Sequence, residues 1–188
     1  MNLSSESIYG DLNFKPRWYA LKTRYRHEKK VDVRLQQKGF TCYLPLHTTY
    51  HNWSDRIKQI TEPLFSCYIF VKIALEERIP VLQTNGVVQL VSFNNVPAPI
   101  PAKQIDSIRQ ILQDNISILK VDYLIEGQSV KVTRGPLKGI VGILTKIKDQ
   151  STLIISIDVL QQSIAVSIGV DSIEPVENVV AKTQLSSL

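Results

Sequence analysis

The sequence predicts an α+β fold in which an antiparallel sheet flanked by helices precedes a small all-β barrel. Up to about residue 112, runs of aromatic and β-branched residues alternate with segments of helical periodicity. From about residue 124, short β-branched runs and turns follow one another with no helical segment between them. We therefore expect five parts: a loose leader (1–16), a sheet-and-helix domain (17–112), a linker (113–123), a barrel (124–176) and a tail (177–188).

The first predicted elements are a strand over Trp18 to Thr23 and a helix over Tyr25 to Lys38 that ends at Gly39. On the helical wheel, Val31 and Leu35 share the inward face. Basic residues recur every four positions on the opposite side: Arg26, Lys30 and Arg34. Two acidic residues of the same helix are expected to relieve their mutual repulsion: Glu28 and Asp32.

The central strand of the domain is predicted over residues 63–71, after a polar, exposed hairpin over residues 47–60. Because side chains alternate along a strand, Tyr68 and Phe70 share one face, and a small apolar set suited to a core lies on the other. Either a helix of the same domain or a binding partner covers the two rings. The local sequence leaves both possibilities open.

For the remainder of the domain we expect a short helix or turn region over residues 75–82, broken at Pro80, then a strand over 87–91 after Gly86 and a second long helix. Three prolines lead rigidly into that helix: Pro97, Pro99 and Pro101. Its apolar stripe is expected on Ile105, Ile108, Leu112, Ile116 and Leu119. The helix either stops near Asp114 or continues towards Leu119. In the barrel region, four or five short strands are expected, with a turn over residues 134–139.

The composition is that of a soluble globular protein. The chain has 188 residues, of which 44% are hydrophobic and 21% are charged. No apolar run approaches the ~20 residues that a membrane-spanning helix needs, and residues 1–13 lack the pattern of a secretory signal. The cysteines, Cys42 and Cys67, are too few for a disulfide framework. These features predict a cytoplasmic protein without a membrane partner.

The positive charge is concentrated in one segment. The formal net charge is +5, and residues 17–38 alone carry eight basic and two acidic side chains. A concentrated basic patch suggests a polyanionic partner, most often nucleic acid. A solvated helix face is the alternative, and charge alone does not choose between them.

Residues that could support catalysis are sparse. The three histidines and two cysteines show no metal-binding spacing, and neither a phosphate-cradling glycine loop nor a nucleophile elbow occurs. Gly135 and Gly139 have a simpler explanation as turn residues. We therefore expect no enzyme activity, no metal site and no cofactor.

Two groups of motifs resemble one known family, over residues 17–175. One group resembles the NusG N-terminal (NGN) domain: Trp18-Tyr19, Arg26-His27-Glu28-Lys29-Lys30-Val31, Glu62-Pro63-Leu64-Phe65, Tyr68-Ile69-Phe70-Val71 and Gly86-Val87-Val88. The other group is similar to the KOW motif of that family's SH3-like barrel: Gly127-Gln128-Ser129-Val130-Lys131-Val132, Gly135-Pro136-Leu137-Lys138-Gly139 and Gly142.

The resemblance implies a transcription elongation factor. Members of the family bind the clamp of bacterial RNA polymerase through an apolar surface, bridge the DNA cleft and suppress pausing. The resemblance puts this surface on Tyr68, Phe70 and Phe93, which implies that the aromatic face is left open for the polymerase.

The resemblance also implies a contact with the non-template DNA strand. In the specialised, RfaH-like members, the start and outer face of the first helix touch that strand. Arg24, Lys30 and Arg34 match those positions, and Arg26 is adjacent to them. Asn85 is a further candidate, in a loop before Gly86 that could approach either the DNA or the opposite wall of the polymerase. Such phosphate contacts are salt-sensitive and mostly independent of base sequence.

Within the family, the helix start and the exposed segment 52–56 resemble the specialised antiterminators of the UpxY type, which act on long operons. The alternatives are a housekeeping NusG-type factor that couples transcription to Rho or the ribosome, or a KOW-type ribosome- or RNA-binding protein. Cys67 stands where housekeeping members usually have glycine, and Leu137 replaces a phenylalanine of the barrel turn. We expect a monomer.

Overall fold

A computed structural model describes residues 14–52, 57–113, 118–121, 127–147, 150–157 and 160–176. The chain divides into two compact units, Met1–Leu112 with Ile157–Leu160, and Gln113–Ser156 with Gln161–Leu188. Most of the predicted leader and all of the predicted tail lie outside the described residues.

The first unit carries a sheet, helices and two hairpins. Its elements are β1 (Arg17–Thr23), α1 (Glu28–Gln37), β2 (Thr41–Tyr43), β3 (Leu46–Asn52), β4 (Ile57–Pro63), β5 (Tyr68–Ile73), a 3-10 turn (Leu75–Glu77), α2 (Arg78–Leu82), β6 (Val87–Leu90), β7 (Ser92–Phe93), β8 (Val96–Pro97) and α3 (Ala102–Gln113). Four strands form an antiparallel sheet of order β2-β5-β1-β6. At its centre, β1 and β5 pair from Arg17 opposite Ile73 to Lys22 opposite Tyr68.

One face of this sheet packs against α1 and α2. The core cluster on that face contains Tyr19, Leu21, Val31, Leu35, Ile69, Val71, Ile73, Leu75, Val81 and Leu90. The predicted inward face of α1 is confirmed, because Val31 and Leu35 are fully buried. Burying an aliphatic side chain of this size contributes about 1.5–3 kcal/mol to stability.

The first helix begins later than predicted. Arg26 has a φ of 59°, a left-handed conformation that a right-handed helix does not contain, so α1 begins at Glu28 rather than at Tyr25. The helix ends before Gly39, whose φ of +85° suits a glycine just beyond a helix C-terminus.

The predicted exposed hairpin is present as β3 and β4, which pair with each other in a separate two-stranded sheet. The pairing runs from Leu46 opposite Pro63 to Asn52 opposite Ile57. The hydroxyl groups of Thr48 and Thr61 lie 3.0 Å apart across the two strands. The expected turn near Ser54-Asp55 lies outside the described residues.

The last helix of the unit, α3, ends at Gln113, the earlier of the two predicted limits. Its buried residues are Ile105, Ile108 and Ile111, whereas Leu112 is only half-buried. Ile111 and Leu112 follow Ile108 by three and four positions, so either fits a helical stripe, and the structure buries Ile111. Ile116 lies outside the described residues, and Leu119 belongs to a strand. No described helix is long and apolar enough to cross a membrane.

The second unit is strand-rich, as predicted. Its strands are β9 (Ile118–Val121), β10 (Gln128–Val132), β11 (Val141–Ile147), β12 (Gln150–Ile157), β13 (Gln162–Ser167) and β14 (Ile173–Pro175). They form one sheet of order β14-β10-β11-β12-β13-β9. The prediction of a linker over residues 113–123 is therefore wrong for residues 118–121, which form β9. Their short β-branched run finds a long-range partner in β13, with Ile118 opposite Val166.

The turn predicted over residues 134–139 is closed by two backbone hydrogen bonds. The Lys138 N–H donates to Gly135 O at 3.1 Å, and the Gly139 N–H donates to Val132 O at 2.8 Å. Leu137 lies within this turn, and its side chain is buried.

Candidate nucleic-acid interface and aromatic face

The segment Arg24–His27, called the basic turn below, connects β1 to α1 and is held by backbone hydrogen bonds. The Arg24 N–H donates to Gly86 O at 2.9 Å, and the His27 N–H donates to Arg24 O at 3.0 Å. The His27 ring nitrogen Nδ1 donates to Tyr25 O at 3.0 Å. These bonds set the conformation of the basic turn before any partner arrives.

The basic turn displays its side chains to solvent. Arg24, Tyr25 and Arg26 are all exposed, and Tyr25 retains 66% of its accessible surface. The Arg26 guanidinium lies over the Tyr25 ring, 5.2 Å from its centroid. Lys30, which follows on α1, is also exposed. The structure thus presents three of the predicted nucleic-acid contacts, Arg24, Arg26 and Lys30, on one end of α1.

The other two candidates in this region bond to each other. Arg34 is half-buried, and its Nη1 donates to the backbone carbonyl of Asn85 at 2.6 Å. The structure therefore brings Arg34 and Asn85 together, with part of the Arg34 guanidinium used inside the unit. Asn85 is exposed, whereas the neighbouring Thr84 is buried.

Two further basic residues of the segment hold neighbouring elements. Lys29 Nζ donates to Thr61 O at 2.9 Å and so links α1 to the β3–β4 hairpin. Lys38 Nζ donates to Thr84 Oγ1 at 2.8 Å and to Pro80 O at 2.9 Å. The eight basic residues of the segment are thus not one uniform charged surface, because Lys29, Arg34 and Lys38 serve internal contacts.

A close approach to α1 requires Gly86. A Cβ at this position would lie 2.8 Å from Val31 Cγ2 and 3.4 Å from the Cβ of His27, and the φ of +102° also disfavours other residues. The glycine therefore allows the loop before β6 to lie directly against the start of α1. This contact positions Asn85 beside α1.

Glu28 has a role that the sequence analysis missed. Instead of relieving charge on the helix surface, it is buried, and its Oε1 accepts the Cys67 N–H at 2.7 Å. Cys67 has a φ of 66°, a conformation that explains why glycine suits this position. The only available signal was an acidic residue in the first turn of a helix.

The prediction that Phe70 is left uncovered is wrong. The opposite side of the sheet carries Trp18, Tyr43, Tyr68 and Phe70 and is called the aromatic face below. Phe70 is fully buried there: Tyr43 stacks on it with ring centroids 6.3 Å apart, and Phe65 meets it edge-on at 5.9 Å. Tyr68 is half-buried. Cover from within the domain, one of the two possibilities left open by the sequence, applies to Phe70.

Helix α3 packs on the aromatic face through Arg109. The Arg109 guanidinium lies 5.1 Å from the Trp18 ring centroid and 4.7 Å from that of Tyr43. Arg109 Nη1 also donates to Asp106 Oδ1 at 3.2 Å. A cation that contacts two rings at once fixes the helix over them.

Phe93 lies apart from Tyr68 and Phe70. It belongs to the β7–β8 hairpin, which follows the edge strand β6, whereas Tyr68 and Phe70 lie on β5 with β1 between. Phe93 is 74% exposed, and the hairpin turns through Asn94 and Asn95 with φ of 49° and 63°. The three predicted polymerase contacts therefore do not form a single cluster of rings.

Burial raises the pKa of several side chains around the aromatic face and the core, and most strongly those of Tyr43 and Cys42. It raises the pKa of Tyr43 to about 12, against the opposing effect of the Arg109 charge. Burial, together with the charge of Asp32, raises the pKa of Cys42 to about 12. Both groups are thus neutral near pH 7.

Within the described ranges, no three His, Cys, Asp or Glu side chains gather into a metal-binding group.

Comparison with known proteins identifies the family. The family model described as "Transcription termination factor nusG" matches residues 16–109, half of the chain. The chain belongs to the NusG family.

Individual NusG proteins resemble the chain over most of its length. The transcription termination/antitermination protein NusG of Staphylococcus carnosus is 25% identical over 172 residues, which cover 84% of this chain and 94% of the relative. A Thermotoga maritima NusG structure, solved to study domain interaction, matches with a TM-score of 0.52 and 20% identity over 87% of this chain and 98% of its own. The match to the Thermotoga structure shows a shared fold.

Membership in the NusG family confirms the prediction at the level of the family, which is one of transcription termination and antitermination factors. The NusG relatives do not separate an RfaH- or UpxY-like antiterminator from a housekeeping factor. That distinction remains a prediction.

Proposed function

We propose that this chain is a specialised transcription antiterminator that holds the RNA polymerase clamp with one side of its first unit and the non-template DNA strand with the other. The observation that carries the proposal is the separation of two surfaces by one sheet. The basic turn and α1 belong to the side whose core is formed by Val31 and Leu35, and the aromatic face is the opposite side. A protein with this arrangement can touch two partners at once.

The basic turn supports the DNA contact. Arg24, Arg26 and Lys30 are exposed at the end of α1, and Glu28, the acidic residue among them, is buried. Phosphate groups therefore meet cations without an exposed carboxylate between them in the sequence. Lysine and arginine contacts to phosphate provide sequence-independent affinity that falls as salt rises.

The polymerase contact rests on the accessible aromatic residues. Tyr68 is half-buried and Phe93 is exposed, so each can offer ring surface to a protein partner. Phe70 supports Tyr43 from beneath the surface and takes no direct part. The polymerase would thus meet two separated aromatic positions.

The barrel supports a specialised role over a housekeeping one. Leu137 replaces the phenylalanine expected in the turn, and its side chain is buried. The turn therefore offers Rho or the ribosome little apolar surface from this residue. A coupling factor would need another contact, for which Val141, half-exposed on β11, is the candidate.

Binding to reconstituted elongation complexes tests the proposal. The first variant, Arg24→Glu with Lys30→Glu, should still bind core polymerase but lose stabilisation by the non-template strand. The second, Tyr68→Ala with Phe93→Ala, should lose binding to core polymerase itself. Lys131→Glu, a charge reversal at an exposed residue of β10 in the second unit, serves as the control. The proposal fails if neither double variant differs from this control.

The choice of variants follows from the structure. Phe70→Ala would open a cavity in the packed aromatic face and cost about 3–5 kcal/mol, so lost binding would only report unfolding. Arg34→Glu would break the hydrogen bond to Asn85 and disturb the loop before β6.

A further inference from the structure

We propose that Tyr25 is a stacking platform for one unpaired base of the strand that crosses the basic turn, with Arg26 bracing the ring. The proposal deepens the proposed function and rests on it, because it assigns a base contact to a surface otherwise argued to bind phosphates. Tyr25 was not among the site residues predicted from the sequence.

The ring is exposed and yet held in place. Tyr25 keeps 66% of its surface accessible while Arg26 sits 5.2 Å from its centroid. A guanidinium over one face of an aromatic ring restrains it and leaves the other face for another flat partner. An exposed tyrosine without such a brace would lose more rotamer freedom on binding.

The backbone beneath the ring is also fixed. The Tyr25 carbonyl accepts from His27 Nδ1 at 3.0 Å, and Arg24 on its other side is anchored to Gly86 O at 2.9 Å. Arg26 adopts its left-handed φ of 59° to complete the turn. A pre-organised site of this kind spends less of its binding energy on ordering itself.

The surroundings select an anionic strand. Arg24 and Arg26 flank the ring in sequence, and Lys30 is exposed on the first turns of α1. The nearest acidic side chain in sequence, Glu28, is buried and engaged with the Cys67 N–H. A ring between exposed cations is the combination by which proteins hold single-stranded nucleic acid, with bases stacked and phosphates paired.

Stacking on Tyr25 requires an unpaired base. In a duplex, each base already stacks on its neighbours, so its flat faces are covered, whereas a displaced single strand exposes them. Stacking depends on the flat face that all bases share, so we expect little preference among the four bases.

A thermodynamic cycle between Tyr25 and the bases tests the platform. Full-length protein and the variants Tyr25→Leu and Tyr25→Phe are titrated with a short oligothymidylate, and with a strand of the same length in which every position is abasic. Tyr25→Leu should weaken binding to the intact strand about tenfold, and Tyr25→Phe should restore most of it. On the fully abasic strand, the difference between wild type and Tyr25→Leu should shrink to less than about twofold.

The salt dependence separates the platform from a phosphate contact. Arg24→Gln should lower the slope of log affinity against log salt by about 0.7, whereas Tyr25→Leu should leave the slope unchanged. The platform is overturned if Tyr25→Leu binds the intact strand like wild type, if it loses as much affinity for the abasic strand as for the intact one, or if wild type shows no measurable binding at low salt.

This test can fail separately from the proposed function. If Tyr25→Leu loses affinity for free single strands but no variant differs from wild type on elongation complexes, the platform stands and the antiterminator proposal is rejected. If Tyr25→Leu binds free single strands like wild type but the double variant Arg24→Glu with Lys30→Glu binds elongation complexes weakly, the platform is rejected and the antiterminator proposal stands.

Discussion

Glu28 and Cys67 together connect α1 to the central strand β5. The Cys67 residue turns the chain into β5 with a φ of 66°, and its N–H points at the buried carboxylate that begins α1. A non-glycine residue in this conformation costs about 1–2 kcal/mol, which the hydrogen bond offsets in part. The pair therefore fixes the position of α1 relative to β5, the strand that carries Tyr68 and Phe70.

Replacing Glu28 should show the strength of this tie. Glu28→Ala leaves the Cys67 N–H without its acceptor and should lower the free energy of unfolding by about 1–3 kcal/mol. Glu28→Gln keeps an oxygen acceptor and should cost less than half as much. Urea unfolding followed by tryptophan fluorescence measures both, with a change at the exposed Glu76, Glu76→Ala, as the control. Equal losses for Ala and Gln would contradict the assignment.

The thiol of Cys42 should react slowly with alkylating reagents in the folded protein. Burial raises its pKa from 9.0 to about 12, and only the thiolate is nucleophilic. In a Cys67→Ser background, the iodoacetamide rate should therefore rise about tenfold per pH unit from about pH 8 to about pH 11. The same protein in urea should instead level off near pH 9, the ordinary pKa of the thiol. A plateau at that same pH in the folded state would contradict the shielding of this half-buried thiol.

Among the elements, α3 determines what becomes of the aromatic face. The alternation along β5 correctly separates Tyr68 and Phe70 from the core residues on the other side, but alternation does not say what covers each side. The cover comes from a helix much later in the chain, through the contacts of Arg109 with Trp18 and Tyr43.

Substitution of Arg109 should loosen α3. Arg109→Ala removes the cation and the aliphatic stem from between the two rings and should lower the free energy of unfolding by about 1–2 kcal/mol. Asp106→Asn breaks only the exposed ion pair with Arg109 at 3.2 Å and should cost less than about 0.5 kcal/mol. Thermal or urea unfolding compares the two. A similar cost for both would assign the stabilisation to the ion pair instead of the rings.

Local periodicity accounts for what could be predicted and long-range contacts for what could not. The inward face of α1 follows from the spacing of Val31 and Leu35, and the exposed hairpin follows from its polar residues. By contrast, the burial of Glu28 depends on Cys67, 39 residues away, and that of Phe70 depends on the distant ring of Tyr43. The strand β9 was missed for the same reason, since its partner β13 lies far along the chain.

In the whole molecule, one sheet separates two surfaces of different chemistry. The basic turn, with Arg24, Tyr25 and Arg26, lies at the end of β1, and the aromatic face lies on the side away from α1. Membership in the NusG family makes the first unit part of a transcription factor. The proposed mechanism requires that the two surfaces meet different components of the same complex.

Site-specific photocrosslinking in an elongation complex measures that separation. A photoreactive phenylalanine analogue is incorporated in place of Tyr68, Lys30 or, as the control, Lys131 of the second unit, and each product is identified as protein or DNA. We predict that position 68 links to a polymerase subunit, that position 30 links to the non-template strand, and that position 131 links to neither. Crosslinking of positions 68 and 30 to the same component, or of neither to any, would contradict the proposed division between the two faces.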